Sequence, residues 1–153
     1  MNAQTDGRIV VGVDDSEPAA AALRWALHEA ALRGTTLEVV HAWAPPVSAL
    51  PFGATLVVPV DEAEVDAAAR AELDRIVGEA VAGLDGPTPE VQITVLPGAP
   101  AATLVDLSED AALLVVGSHG RSGLGRLVLG SVAMACVQHA HCPVVVVRSP
   151  GHD

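Results

Sequence analysis

Residues 117–131 read GSHGRSGLGRLVLGS, with five glycines and two of the chain's eight basic residues in fifteen positions, directly after the apolar run 111–116. Each glycine loses more backbone freedom on folding than any other residue, so a dense cluster needs a compensating use. At the mouth of a buried strand, that use is close approach of the backbone to a ligand. Inward-turned N–H groups of a flexible loop form an anion nest. A helix starting near Gly130-Ser131 adds unpaired N–H groups and roughly half a positive charge. The Ser131 hydroxyl is a further donor, and Arg121 and Arg126 are placed to screen an anion from the chain's own charge. Asp14 ends the first apolar run and flanks the same crevice if strand 112–117 lies beside strand 8–14. The chemistry these types and spacings suit is the binding of a phosphorylated ligand.

Other chemistries fail on spacing. A Walker loop needs a lysine, and this chain has none. A dinucleotide fingerprint belongs after the first strand, where VDDSEPAA has no glycine. VGSHG resembles a nucleophile elbow around Ser118, but Val116 stands at the first glycine position and no well-placed acid and histidine follow. CVQHAHC gathers Cys136, His139, His141 and Cys142, which invites zinc. Adjacent His141 and Cys142 cannot easily complete a tetrahedron with a helical Cys136–His139 pair, however, and Cys136 reads as a buried helix residue. His119, beside the expected phosphates, reads as a polar contact.

The elements that position these residues alternate. Runs at 8–14, 36–42, 90–96, 112–117 and 143–148 are rich in β-branched residues, and several are continuously apolar, as in parallel strands buried on both faces. Between them lie helical stretches. Ser16 is a candidate N-cap with Pro18 in the first turn, and Gly34 ends that helix. Asp61 and Glu62 open an acidic, alanine-rich helix with an apolar stripe at Leu73, Ile76, Val77, Ala80 and Leu84. Pro100 starts a short helix to about Glu109, and a last helix runs from about Gly130 to Ala140, where Ser131 reads as an N-cap. Such alternation predicts an α/β domain with a parallel sheet covered by helices on both faces. Residues 43–60 carry four prolines and form an 18-residue connection, either a stiff surface loop or a flap over the site.

The chain has 153 residues and a formal net charge of −11, enough for one domain spanning 1–153 with a core of about 8–148. The acidic balance and three aromatic residues argue against nucleic acid as a partner. No run approaches a membrane span, no export signal opens the sequence, and two cysteines make no disulfide scaffold, so a cytoplasmic chain is expected.

Gly117, Gly120, Gly130 and Ser131 reproduce the spacing G-x2-G-x9-G-[ST], which resembles the ATP-binding motif of the universal stress protein family. VVGVDDSEPA resembles that family's first strand and acidic turn, and HAHCPVVVVR its closing strand, so the likeness covers about residues 8–148. The resemblance implies a single Rossmann-like α/β domain whose five-stranded parallel sheet has the order 3-2-1-4-5. It implies ATP as the ligand, alone or with Mg2+, in a non-catalytic, nucleotide-dependent stress-response protein acting through unidentified protein partners. Asp14 matches the position lying against the adenosine, and Ala42 the position whose backbone contacts adenine. Gly117, Gly120, Gly130 and Ser131 match the ribose- and phosphate-contacting positions. Asp15 departs from the family by adding a charge beside Asp14. A slow ATPase or phosphotransferase using the same pocket, or a module binding AMP or a cyclic nucleotide, are the alternatives. The apolar strand 143–148 falls at a sheet edge in this topology, which together with the resemblance implies a homodimer.

Overall fold

In the computed structural model, which describes residues 7–120 and 128–150, parallel strands and helices alternate along the chain. The order is β1 (Arg8–Gly12), α1 (Glu17–Arg33), β2 (Leu37–Trp43), β3 (Val47–Ala49), β4 (Thr55–Val57), α2 (Glu62–Ala82), β5 (Val91–Pro97), α3 (Pro100–Leu107), β6 (Ala111–Gly117), α4 (Ser131–His139) and β7 (Val144–Val147). Five strands form one sheet in the order β5-β2-β1-β6-β7, every neighbouring pair parallel. This is the 3-2-1-4-5 order once the β3–β4 pair is set aside. The corresponding difference from expectation lies in 43–60. Instead of an open connection, the segment folds into a two-stranded antiparallel hairpin of its own.

The sheet is covered on both faces at its centre, where β1 from Ile9 onward and all of β6 are apolar without interruption. Val11 pairs with Val39 and Val115, Val39 with Ile93, and Val115 with Val145, so one row of branched side chains crosses the whole sheet. That row packs under α1 and α2. The intervening residues Val10, Val40, Leu114 and Val116 pack on the opposite face with Leu104 of α3 and Ala133 and Cys136 of α4. Helix α1 lies close to the sheet because its inward stripe is small, with Ala22, Ala26 and Ala30 fully buried beside Leu23 and Leu27. Its ends are those the sequence signals. The Ser16 hydroxyl accepts from the Ala19 amide, and Gly34 closes the helix in the left-handed region at φ 66°. Asp61 caps α2 by accepting from the amides of Ala63 and Glu64. Helix α4 differs from expectation, because Gly130 is its cap and Ser131 its first helical residue.

One charged group is buried within the sheet. Glu38 accepts from the Arg8 guanidinium and from the Thr94 hydroxyl at 2.7 Å. Arg8 also donates to the carbonyls of Asp110 and Leu107 at 3.2 and 3.4 Å. The pair thereby ties β1, β2 and β5 to the C-terminal end of α3, and α3 in turn forms a wall of the cleft described next. No described helix is long and apolar enough to cross a membrane.

Candidate functional site

Strand β1 is flanked by β2 on one side and β6 on the other, so the crossover connections leave its two sides in opposite directions. Open α/β sheets hold their ligands beyond the carboxyl ends of the strands at such a reversal. A cleft of about 740 Å³, counted out to its open mouth, lies there. Asp14, Ala42, Gly117, Gly120, Gly130 and Ser131 all line it, although the chain separates the first from the last by more than a hundred residues. Arg121 and Arg126 lie outside the described residues.

The glycines are what let three loops meet. A β-carbon on Gly120 would sit 3.3 Å from Asp14 Oδ2, and one on Gly130 would sit 3.2 Å from the Cα of His119. A β-carbon on Gly117 would fall 2.8 Å from the carbonyl carbon of Pro18, in the first turn of α1. The Gly130 amide donates to the Ser118 carbonyl at 2.7 Å and fastens the loop's start to the first turn of α4. That turn has no side-chain cap, which leaves its leading N–H groups at the cleft for an anion.

Asp14 is divided between two tasks. Its Oδ1 accepts from the amide of Ser16 at 2.9 Å and from the Ser16 hydroxyl, which fixes the turn into α1. Its Oδ2 lies on the side of Gly120 and stays available to accept from hydroxyl donors in the cleft. His41 steadies the same turn, with its Nδ1 and the Val13 carbonyl 2.9 Å apart. Asp15 lines a separate groove between α1 and α2 and is not part of the cleft wall, so the additional charge is turned to the other side.

Several wall residues carried no sequence signal of a site. Pro100 and Leu104 of α3 close one side, facing Val116 and Val132. Gly12 lies under Leu104 so closely that a β-carbon would reach within 2.6 Å of its Cδ1. Pro100 was legible as a helix start and not as a wall of a cleft. His119 also lines the cleft, its Nδ1 2.9 Å from the Ser118 hydroxyl. Ser118 itself is only 2% exposed. The cysteine–histidine cluster disperses. Cys136 is buried in the core, and burial, with a smaller contribution from nearby Cys142, pushes its thiol up to about 11. His141 belongs to a contact with α3, its amide donating to Ser108 Oγ at 2.9 Å. No group of three His, Cys, Asp or Glu side chains among the described residues is arranged to hold a metal ion.

An apolar wall, one carboxylate oxygen and a glycine-built cradle at a helix start suit a flat ring bearing hydroxyls and an anionic tail. A family model described as "Universal stress protein family" matches residues 7–148. The chain belongs to the universal stress protein family. A curated universal stress protein of Mycobacterium tuberculosis is 38% identical over 144 residues, covering 92% of this chain and 47% of that protein. The chain thus spans about half the length of the curated universal stress proteins it matches. Among solved structures, a universal stress protein in complex with cAMP is 25% identical with a TM-score of 0.68, covering 95% of this chain and 98% of the other. A universal stress protein from Archaeoglobus fulgidus in complex with dAMP is 27% identical with a TM-score of 0.62, covering 92% and 97%.

Proposed function

We propose that this universal stress protein binds ATP in the cleft and acts in the cytoplasm as a nucleotide-dependent regulatory protein, without turnover of its own. The observation carrying this reading is the convergence of Asp14, Ala42, Gly117, Gly120, Gly130 and Ser131 on one cleft. Adenine would lie along the backbone of Ala42 between the apolar walls. The ribose would face Asp14 Oδ2, and the phosphates would meet the first turn of α4. The cradle fits the phosphates because no side chain fills it, the positions at 120 and 130 being glycine. A Mg2+ ion would be held chiefly by the phosphates, with Asp14 as the one carboxylate at hand, since Asp14 Oδ1 is already engaged by Ser16.

AMP and cyclic nucleotides are the competing ligands, favoured by the two related structures solved with cAMP and dAMP. The discriminating experiment analyses the nucleotide released from freshly purified protein, then measures thermal shift with ATP, AMP, cAMP and inorganic triphosphate. Ligand at about 100 times its dissociation constant stabilises by roughly 2.7 kcal/mol. In a domain of this size that raises the melting temperature by about 5–10 °C. ATP is expected to give the largest shift, with no phosphate released over the same period. No retained nucleotide and no shift with any of the four would refute the reading.

The regulatory form we propose is a homodimer. Strand β7 is at the sheet edge, and its four valines are only half buried. An apolar edge offers unpaired N–H and C=O groups, and the same strand of a second copy can satisfy both sets about a two-fold axis. Mass measurement in solution at micromolar concentration is expected to give twice the 15.5 kDa of one chain. A monomer alone would exclude this assembly.

A further inference from the structure

The β3–β4 hairpin is the largest exposed apolar feature among the described residues. Val47, Leu56 and Val57 are 64%, 52% and 59% exposed, Leu50 is 42% exposed, and Phe52 at the tip is wholly exposed. Residues 42–60 contain no ionisable side chain, in a chain whose net charge is −11. Phe52 has φ 72°, in the left-handed region that a bulky residue occupies only at a cost. The two strands pair only with each other, and an isolated two-stranded hairpin is marginal in water. Such a segment needs a surface to lie on.

Its attachment specifies which surface. The hairpin follows β2, whose His41 and Ala42 line the cleft. Below it the chain is anchored on both sides. Trp43 is largely buried, its indole N–H donating to Asp66 Oδ1 of α2 at 2.7 Å, and Val60 packs on the core. Above these anchors the Val58 amide donates to the Pro46 carbonyl at 2.9 Å and closes the hairpin's root. The projecting unit is therefore 46–58, joined to the body through Ala44 and Pro45 on one side and Pro59 on the other. An anionic lipid surface would be repelled by the rest of the domain, and a second copy would be met only at its free concentration. The chain's own cleft, walled by Pro100, Leu104, Val116 and Val132 and tethered at the hairpin's root, has no such penalty.

We propose that the β3–β4 hairpin is a lid that closes over the cleft and lays Leu50 and Phe52 across the bound nucleoside. The lid rests on the nucleotide reading above. Closure would remove apolar side chains and the base from water together and would slow release. The test uses the full chain and a fluorescent ATP analogue, with wild type compared with Leu50→Ser/Phe52→Ser. Both positions are solvent-exposed without ligand, so the variant's melting temperature without nucleotide is expected to match wild type. Saturating ATP is expected to slow hydrogen exchange of residues 46–58 in wild type. The double variant is expected to release the analogue about tenfold faster with little change in association rate. If wild type binds ATP while exchange at 46–58 and release from the variant are unchanged, the lid is excluded and the nucleotide reading survives. If wild type binds no nucleotide, both fall. Protection that grows with protein concentration in the absence of nucleotide would assign the hairpin to a second copy and overturn the proposal.

Discussion

Replacing Gly130 by Val is expected to weaken ATP binding by at least about a hundredfold, the equivalent of roughly 2.7 kcal/mol. The backbone there, at φ −62° and ψ 163°, is open to any residue, so the constraint is space and not conformation. A β-carbon would lie 3.2 Å from the His119 Cα, 3.4 Å from the Ser118 carbonyl oxygen and 3.5 Å from the Gly120 nitrogen. All three are main-chain atoms, which cannot rotate away. The methyls of valine must then displace the loop 118–120, stretch the 2.7 Å bond from the Gly130 amide to the Ser118 carbonyl, and move Gly120 off Asp14. The cradle opens and its N–H groups lose their common direction. Overpacking of this kind also costs about 1–3 kcal/mol of stability, so folded protein must be confirmed by circular dichroism before calorimetry. Gly130→Ala, which adds only the β-carbon, is expected to fall between the two. Wild-type affinity in the valine variant would show that phosphate binds elsewhere.

The second large effect is on stability. Gly117→Ala is expected to destabilise the domain by about 1–3 kcal/mol, lowering the melting temperature by about 3–10 °C. The added methyl would stand 2.8 Å from the Pro18 carbonyl carbon and 2.9 Å from its oxygen. Relief requires α1 to lift from the sheet, where Ala22, Leu23, Ala26 and Leu27 are at most 1% exposed. Gly12→Ala is the informative comparison. Its β-carbon would meet Leu104 Cδ1 at 2.6 Å, but that is the tip of a side chain that can change rotamer. The expected result is a smaller loss of stability together with weaker binding, because Leu104 moves within the cleft wall. A Gly117→Ala variant that melts like wild type would remove the close helix–strand approach as the reason for this glycine.

These two glycines separate what a motif states from what it does. The spacing G-x2-G-x9-G-[ST] is visible along the chain, and its residues do converge on one cleft. Nothing in the spacing distinguishes Gly130, which abuts the loop's own backbone, from Gly117, which abuts α1. That distinction depends on which segments a glycine faces after folding. Ser131 illustrates the same point at shorter range. Its residue type suits an N-cap, yet the chain turns one residue earlier and Gly130 takes the cap.

The sequence alone determined the five strands of the main sheet, the four helices between them, their order and the layering. Continuous β-branched runs can be satisfied only by strands covered on both faces, and small residues at helical spacing supply the covers. Capping signals at Ser16, Gly34 and Asp61 are local hydrogen-bond chemistry and survive folding unchanged. The family likeness added the strand order and the ligand-contact positions. Tertiary structure decided the rest, because each such feature joins groups remote along the chain. It brought Pro100 and Leu104 into the cleft wall beside residues 117–120. It committed one oxygen of Asp14 to Ser16 and left the other toward Gly120. It turned a proline-rich connection into a hairpin, whose cross-strand pairs Val47–Val57 and Ala49–Thr55 no helical or strand periodicity announces. Local propensity acts over a few residues, whereas walls, clashes and the two sides of a carboxylate exist only once distant backbones are pressed together.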